Sequence, residues 1–145
     1  MECATFSPPS QCRRSIPVPL DGVAQRWPAE EGQVERLVQV FEIVGKRAQG
    51  KTCPAIDGIL EEGEEVMDEY EGAPALDAGL VGSAQAVEHY EICRYKGLKG
   101  WAMLLGMSDA AALLDQNLQE ELATLDALTA FGEGGVNQRA LEEVA

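Results

Sequence analysis

Beyond residue 30, apolar residues recur at helical spacing through most of this chain, and in the two longest stripes a glutamate stands where an apolar side chain is due. From Ala75 to Leu105 the stripe runs Leu76, Leu80, Ala84, Val87, then Tyr95, Leu98, Ala102 and Leu105. Steps of three and four predict one long helix. The position that continues the stripe between Val87 and Tyr95 is Glu91, and Glu88 lies three residues earlier on the same side. A further helix is predicted from Ser108, as its cap, to Phe131, with the stripe Ala111, Leu114, Leu118, Glu121, Leu125 and Leu128.

Two more helices precede these. Val34, Leu37, Phe41 and Val44 share one face of a segment from about Ala29 to Val44, which Gly45 stops. After a polar connection over Ala48–Thr52, Pro54 suits the first position of a short helix reaching about Tyr70, with Gly72 ending it. Gly79, Gly82, Gly97 and Gly100 lie inside the long helix. Each costs up to about 1 kcal/mol relative to alanine, although small residues also let a neighbouring helix approach. Strand-like alternation of β-branched and aromatic residues is absent. The fold class is therefore all-α, with three substantial helices and one short one.

The first 29 residues break the pattern. Five of the seven prolines (Pro8, Pro9, Pro17, Pro19 and Pro28) fall there and apolar periodicity survives at most over Val18–Trp27, so irregular or disordered backbone is expected over 1–29. A helical domain is expected over 30–131 and a flexible tail over 132–145, with a weak helical pattern at Gln138–Val144.

The formal charge of -14 is uneven: residues 1–30 carry three basic and three acidic side chains, leaving the whole excess on the remainder. Phosphate backbones and anionic membranes would be repelled, which argues against nucleic acid and membrane as partners. The four cysteines form no C-x-x-C pair and have no histidine cluster beside them, so a zinc site is not expected. No apolar run reaches the length of a membrane span, and the N-terminus lacks the order of a signal peptide. A cytoplasmic location is the expectation.

A lone buried carboxylate costs several kcal/mol unless it is protonated, paired or bound to a cation. Glu88, Glu91 and Glu121, from two facing helices, are thus candidate ligands for a hard metal such as iron or manganese. Periodicity alone leaves a second reading open: a small rotation of either helix makes all three rim residues. Neither Glu88 nor Glu121 has histidine three residues later, so the Glu-x-x-His signature of di-iron bundles is missing. His89, the single histidine, is offset by about 100° from Glu88 and reads either as a supporting ligand or as a surface residue. Tyr95, one turn after Glu91, can hydrogen-bond a buried carboxylate or simply pack. Glu120 adjoins Glu121 and reads as more solvent-facing. Glu30 matches the spacing of Val34, Leu37 and Phe41, yet beside Pro28 it equally suits a helix start, where the dipole favours a carboxylate. The acidic run from Glu61 to Glu71 lacks calcium-loop spacing and reads as a solvated helix face.

Four segments, in order and at suitable spacing, carry a family resemblance: GQVERLVQVFE at 32–42, GKTC at 50–53, GILEEG at 58–63 and VEHYEI at 87–92. Together they closely resemble the YciE/YciF-type ferritin-like proteins, a bacterial family linked to stress responses, over roughly residues 31–130. The resemblance implies a ferritin-like four-helix bundle with a short extra helix between the second and third. It implies a di-iron or di-manganese carboxylate site and a tendency to dimerise, but no defined reaction. The match falls on Glu88, His89, Glu91, Tyr95 and the Glu120–Glu121 pair, which favours the inward reading.

This chain departs from that pattern before Glu30. The family's first helix, with one expected ligand, and the early turns of its second have no counterpart in residues 1–29. A truncated, frame-shifted or misplaced start is the expectation that follows. The bundle would then be incomplete at its N-terminus, its metal site weakened and its apolar faces open to self-association. The alternative to a metal protein is a non-enzymatic helical protein that acts through self-association or a protein partner. Intact-mass measurement of the native protein checks the start: a chain beginning at Met1 rules out a misplaced one.

Overall fold

The structure, a computed structural model, describes the backbone of residues 20–142 and the side chains of residues 31–141. Every regular element among them is helical: α1 (Leu20–Ile43), α2 (Pro54–Glu69), α3 (Ala75–Leu104), α4 (Ser108–Phe131) and α5 (Asn137–Glu142). Residues 1–19, most of the segment expected to be irregular, lie outside the described residues.

The predicted stops rest on backbone geometry. At the end of α3, Gly106 takes φ 73°, a conformation that costs a side-chain-bearing residue about 1–2 kcal/mol. The Met107 amide then donates to the Ala102 carbonyl (2.9 Å) and the Gly106 amide to that of Met103 (3.1 Å), using up carbonyls the helix end would otherwise orphan. Gly45 closes α1 in the same way, with Lys46 donating to Phe41. This closure corrects one expectation. Because Met107 is already folded back onto Ala102, Met107 is the cap of α4 and Ser108 its first helical residue, with no side-chain capping bond.

Two further boundaries differ. The first helix begins at Leu20 rather than near Ala29, and Pro28 lies inside it, where one backbone hydrogen bond is lost. At the other end, Gly132–Val136 forms a kinked π-type turn leading into α5, where a flexible tail was expected. Gly135 makes the kink with φ 129°, and Val136 is buried. An apolar residue four after Gly132 can bury only if the chain turns back, which the glycines permit.

Two side-chain bridges fix how α3 meets α4. Gln85 donates to Thr129 (2.9 Å), and Lys99 pairs with Asp115 (2.7 Å). As α3 advances from 85 to 99, α4 recedes from 129 to 115, so the two are antiparallel. The core lies along this seam: Ile92, Tyr95 and Ala102 of α3 against Ala110, Ala111, Leu114 and Leu118 of α4. Leu37 and Val40 of α1 pack against it from outside. The order across the bundle is thus α1, α4, α3, α2, with the kinked turn and α5 also resting on α3.

The α2–α3 contact explains one helix glycine and not the others. A methyl group at Gly79 would lie 2.6 Å from Val66 Cγ1, whereas one at Gly82, Gly97 or Gly100 would meet open space. Gly82→Ala is therefore expected to raise unfolding free energy by about 0.5–1 kcal/mol through propensity alone. Gly79→Ala should instead lower it by about 1 kcal/mol, because β-branched Val66 cannot yield cheaply. Urea unfolding of the two variants side by side checks the pair.

Candidate functional site

The buried face of α3 runs through Leu80, Val81, Ala84, Glu88, Ile92 and Tyr95. It passes through Glu88 rather than Glu91, a small rotation from the stripe expected from spacing. The reason is that α3 is covered from more than one side, by α2, α4 and the kinked turn, so Val81 and Ile92 are buried as well. Glu88 is 0% exposed, Glu91 half-buried one turn along, and Glu121 of α4 buried at 4%. One carboxylate oxygen from each of the three lies within 4.8 Å of the other two. The antiparallel register brings this about, since α4 near 121 passes α3 near 91.

Beside the carboxylates lies a polar network that joins α1 to the hairpin. Asn117, 0% exposed, sits one turn before Glu121. Its amide nitrogen donates to the Gln33 carbonyl (3.3 Å), and its oxygen accepts from Arg36 Nε. The Arg36 guanidinium also pairs with Glu120. The Tyr95 hydroxyl donates to Gln33 Oε1 (3.3 Å). Burial pushes that hydroxyl well above the ordinary tyrosine value; the Asn117 amide opposes the shift, and the charges of Glu91 and Glu121 add to it.

The other predicted residues fall elsewhere. His89 is exposed and stands outside the group of three. Glu120 turns to Arg36 of α1 and does not join the carboxylates. For Glu30 the backbone lies in α1, but the side chain is outside the described residues. Gln33, Arg36 and Asn117 escaped the reading of spacing, although Asn117 sits on the α4 stripe three residues after Leu114. A polar residue in an apolar stripe was the available signal, and beside a glutamate it is easily overlooked.

A second polar contact lies at the start of α2. The thiol of buried Cys53, the cap of that helix, is 2.8 Å from the Tyr90 hydroxyl, and Arg94 stacks over the Tyr90 ring at 4.9 Å. Burial and the Cys53 contact raise the Tyr90 pKa, with Arg94 opposing. The contact ties the GKTC segment to α3.

A helical domain with buried carboxylates on a long antiparallel hairpin is the setting for comparison with known proteins. A family model described as a domain of unknown function (DUF892) matches residues 28–141, and the chain belongs to that family. Protein YciF of Escherichia coli strain K12 is 41% identical over 110 residues, which make up 75% of this chain and 66% of that protein. The chain therefore spans just under two thirds of that relative's length. The crystal structure of the E. coli stress protein YciF superposes with a TM-score of 0.71 at 38% identity, covering 81% of this chain and 77% of the other. YcfI from Rhodopseudomonas palustris gives a TM-score of 0.74 at 40% identity, covering 83% and 78%. The resemblance drawn from the four sequence segments is thus shown, as is the all-α bundle.

Two outcomes follow. Asn117→Ala leaves the buried part of Arg36 without its acceptor and should cost about 2–3 kcal/mol in urea unfolding, against less than about 0.5 for exposed Gln116→Ala. The second concerns alkaline pH. The folded state holds the Tyr95 proton more tightly than the unfolded chain, which ionises near the ordinary value of about 10. Tyr95 therefore contributes stability that is level below about pH 10 and is lost as pH rises beyond it. In a spectrophotometric titration, Tyr95→Phe should lack the phenol that ionises last.

Proposed function

We propose that this chain is a stress-related helical protein in which Glu88, Glu91 and Glu121 hold a hard divalent cation, iron or manganese. The observation that carries this reading is the convergence of three carboxylates, two of them buried, from two helices. The donor set fits such an ion: all three ligands are hard oxygens, and a divalent charge offsets the mutual repulsion of three anions. It fits one ion better than two. Among the described residues only these three acidic side chains converge, and a dinuclear carboxylate site draws on a fuller set from four helices. The expected di-iron or di-manganese centre is accordingly proposed in a reduced, mononuclear form. Iron held there would supply one-electron oxidation and reduction. The chain's own residues bind it and hold the ligand helices in register.

After dialysis against manganese and then buffer, about one ion per chain is expected by mass spectrometry, falling to background in Glu121→Gln. No retained metal in the wild-type chain would remove this reading.

One observation favours the alternative of self-association. Around the α3–α4 connection Trp101, Met103, Leu104 and Leu105 are exposed, Leu104 at 85%. Such an apolar cluster suits a contact between copies, as in a dimer. No described helix is long and apolar enough to cross a membrane. Sedimentation equilibrium should show association that Leu104→Glu weakens at least tenfold; a wild-type chain that stays monomeric at high concentration argues against it.

A further inference from the structure

The face of α3 that α2 covers continues past the point where α2 begins. Gly79 lies against Val66 of α2, Ser83 against Gly63, and Tyr90 against Cys53, the cap of α2. Helical steps from Tyr90 carry the same face on to Arg94, Gly97, Trp101 and Leu104. There it is bare: a methyl group at Gly97 would meet nothing within 4 Å, and Trp101 and Leu104 are 47% and 85% exposed. We infer that this stretch of α3 receives the acidic outer face of α2 from a second copy of the chain. This rests on the self-association reading above and gives the apolar cluster its counterpart.

Charge selects the occupant. Between Ile92 and Ser108 the chain carries Arg94, Lys96 and Lys99 and no acidic residue, with Lys99 offset by Asp115 of α4. The loop after α1 adds exposed Lys46, Arg47 and Lys51 and ends at Cys53 beside Tyr90. In a chain of net charge -14, this end is basic and apolar. The opposite holds for α2, since no lysine or arginine occurs from Thr52 to Cys93. Its exposed Glu61, Glu65 and Asp68 share, by helical spacing, the side turned away from Gly63 and Val66. Leu60, 39% exposed, flanks them and offers apolar contact. Within one copy the two surfaces stand apart: Ser83, level with Gly63, lies roughly 30 Å before Leu104 along α3. Every copy carries both surfaces, so two copies can exchange the contact. Repulsion between two acidic chains is screened beyond about 10 Å at ordinary salt, which leaves the local match to decide.

Sedimentation equilibrium of the full chain tests this with two kinds of variant and their mixture, circular dichroism melts showing that each folds. Leu104→Glu disables the α3 face, and so does Gly97→Glu, where open space accommodates the new side chain. Glu61→Lys combined with Glu65→Lys disables α2 and lowers the chain's negative excess, a change that by itself favours association. Each variant alone should associate about tenfold more weakly than the wild-type chain. Mixed in equal amounts, an α3-face variant and the α2 variant should associate more than either does alone, because the intact α3 face of one meets the intact α2 of the other. If the apolar clusters pack on each other instead, the α2 variant alone associates as the wild-type chain does, which would overturn the inference. A mixture no more associated than its components would also overturn it. A wild-type chain that stays monomeric at high concentration would overturn it together with the self-association reading, a failure visible before any variant is made.

Discussion

The packing of α3 against α4 has to accommodate carboxylates where two apolar stripes meet. Glu88 and Glu121 are buried at the seam that also holds the core. Removing an ionised carboxylate from water costs several kcal/mol after relaxation, while a whole domain is stable by about 5–15 kcal/mol. Two such groups therefore weigh as heavily as the net stability, and the surrounding structure has to compensate for them. A bound cation is the compensation that hard oxygen ligands from neighbouring helices are suited to.

The neighbourhood of that seam is polar in an ordered way. Asn117, Gln33, Arg36 and Tyr95 form a connected set in which each buried group has a stated partner. Such networks define one arrangement of helices where apolar contacts alone permit several. Leu37 and Val40 supply apolar contact for α1, whereas Gln33 and Arg36 settle its position along α4. On the opposite side, α2 approaches α3 at Gly79, which leaves no room for a side chain. α1 is thus held on α4 by polar bonds, and α2 reaches α3 where a methyl group is absent.

Helix type and most helix ends were legible in the sequence because they depend on local chemistry. Pro54 opens α2, and Gly45 and Gly106 close α1 and α3 through backbone bonds that few other residues permit. The convergence of Glu88, Glu91 and Glu121 was legible as an interruption of helical period. Its details were not: spacing centred the stripe on Val87 and Glu91, but packing from several sides centres it on Glu88 and Ile92. Arg36 and Asn117 were missed because their partnership joins positions far apart in the chain, and no local pattern encodes it. The docking of Val136 was hidden for a similar reason, since a glycine-rich turn reads as flexible until the surface it returns to is known.

The most direct test of the account is the thermal stability of the wild-type chain and of Glu88→Gln, each with and without manganese. If the buried carboxylates exist to hold a cation, a ligand at 100 times its dissociation constant should raise the wild-type Tm by about 5–10 °C. Glu88→Gln keeps the shape and removes one charge, so its Tm should not respond to the metal. Melting that is indifferent to manganese in both proteins, or an equal rise in both, would contradict the account.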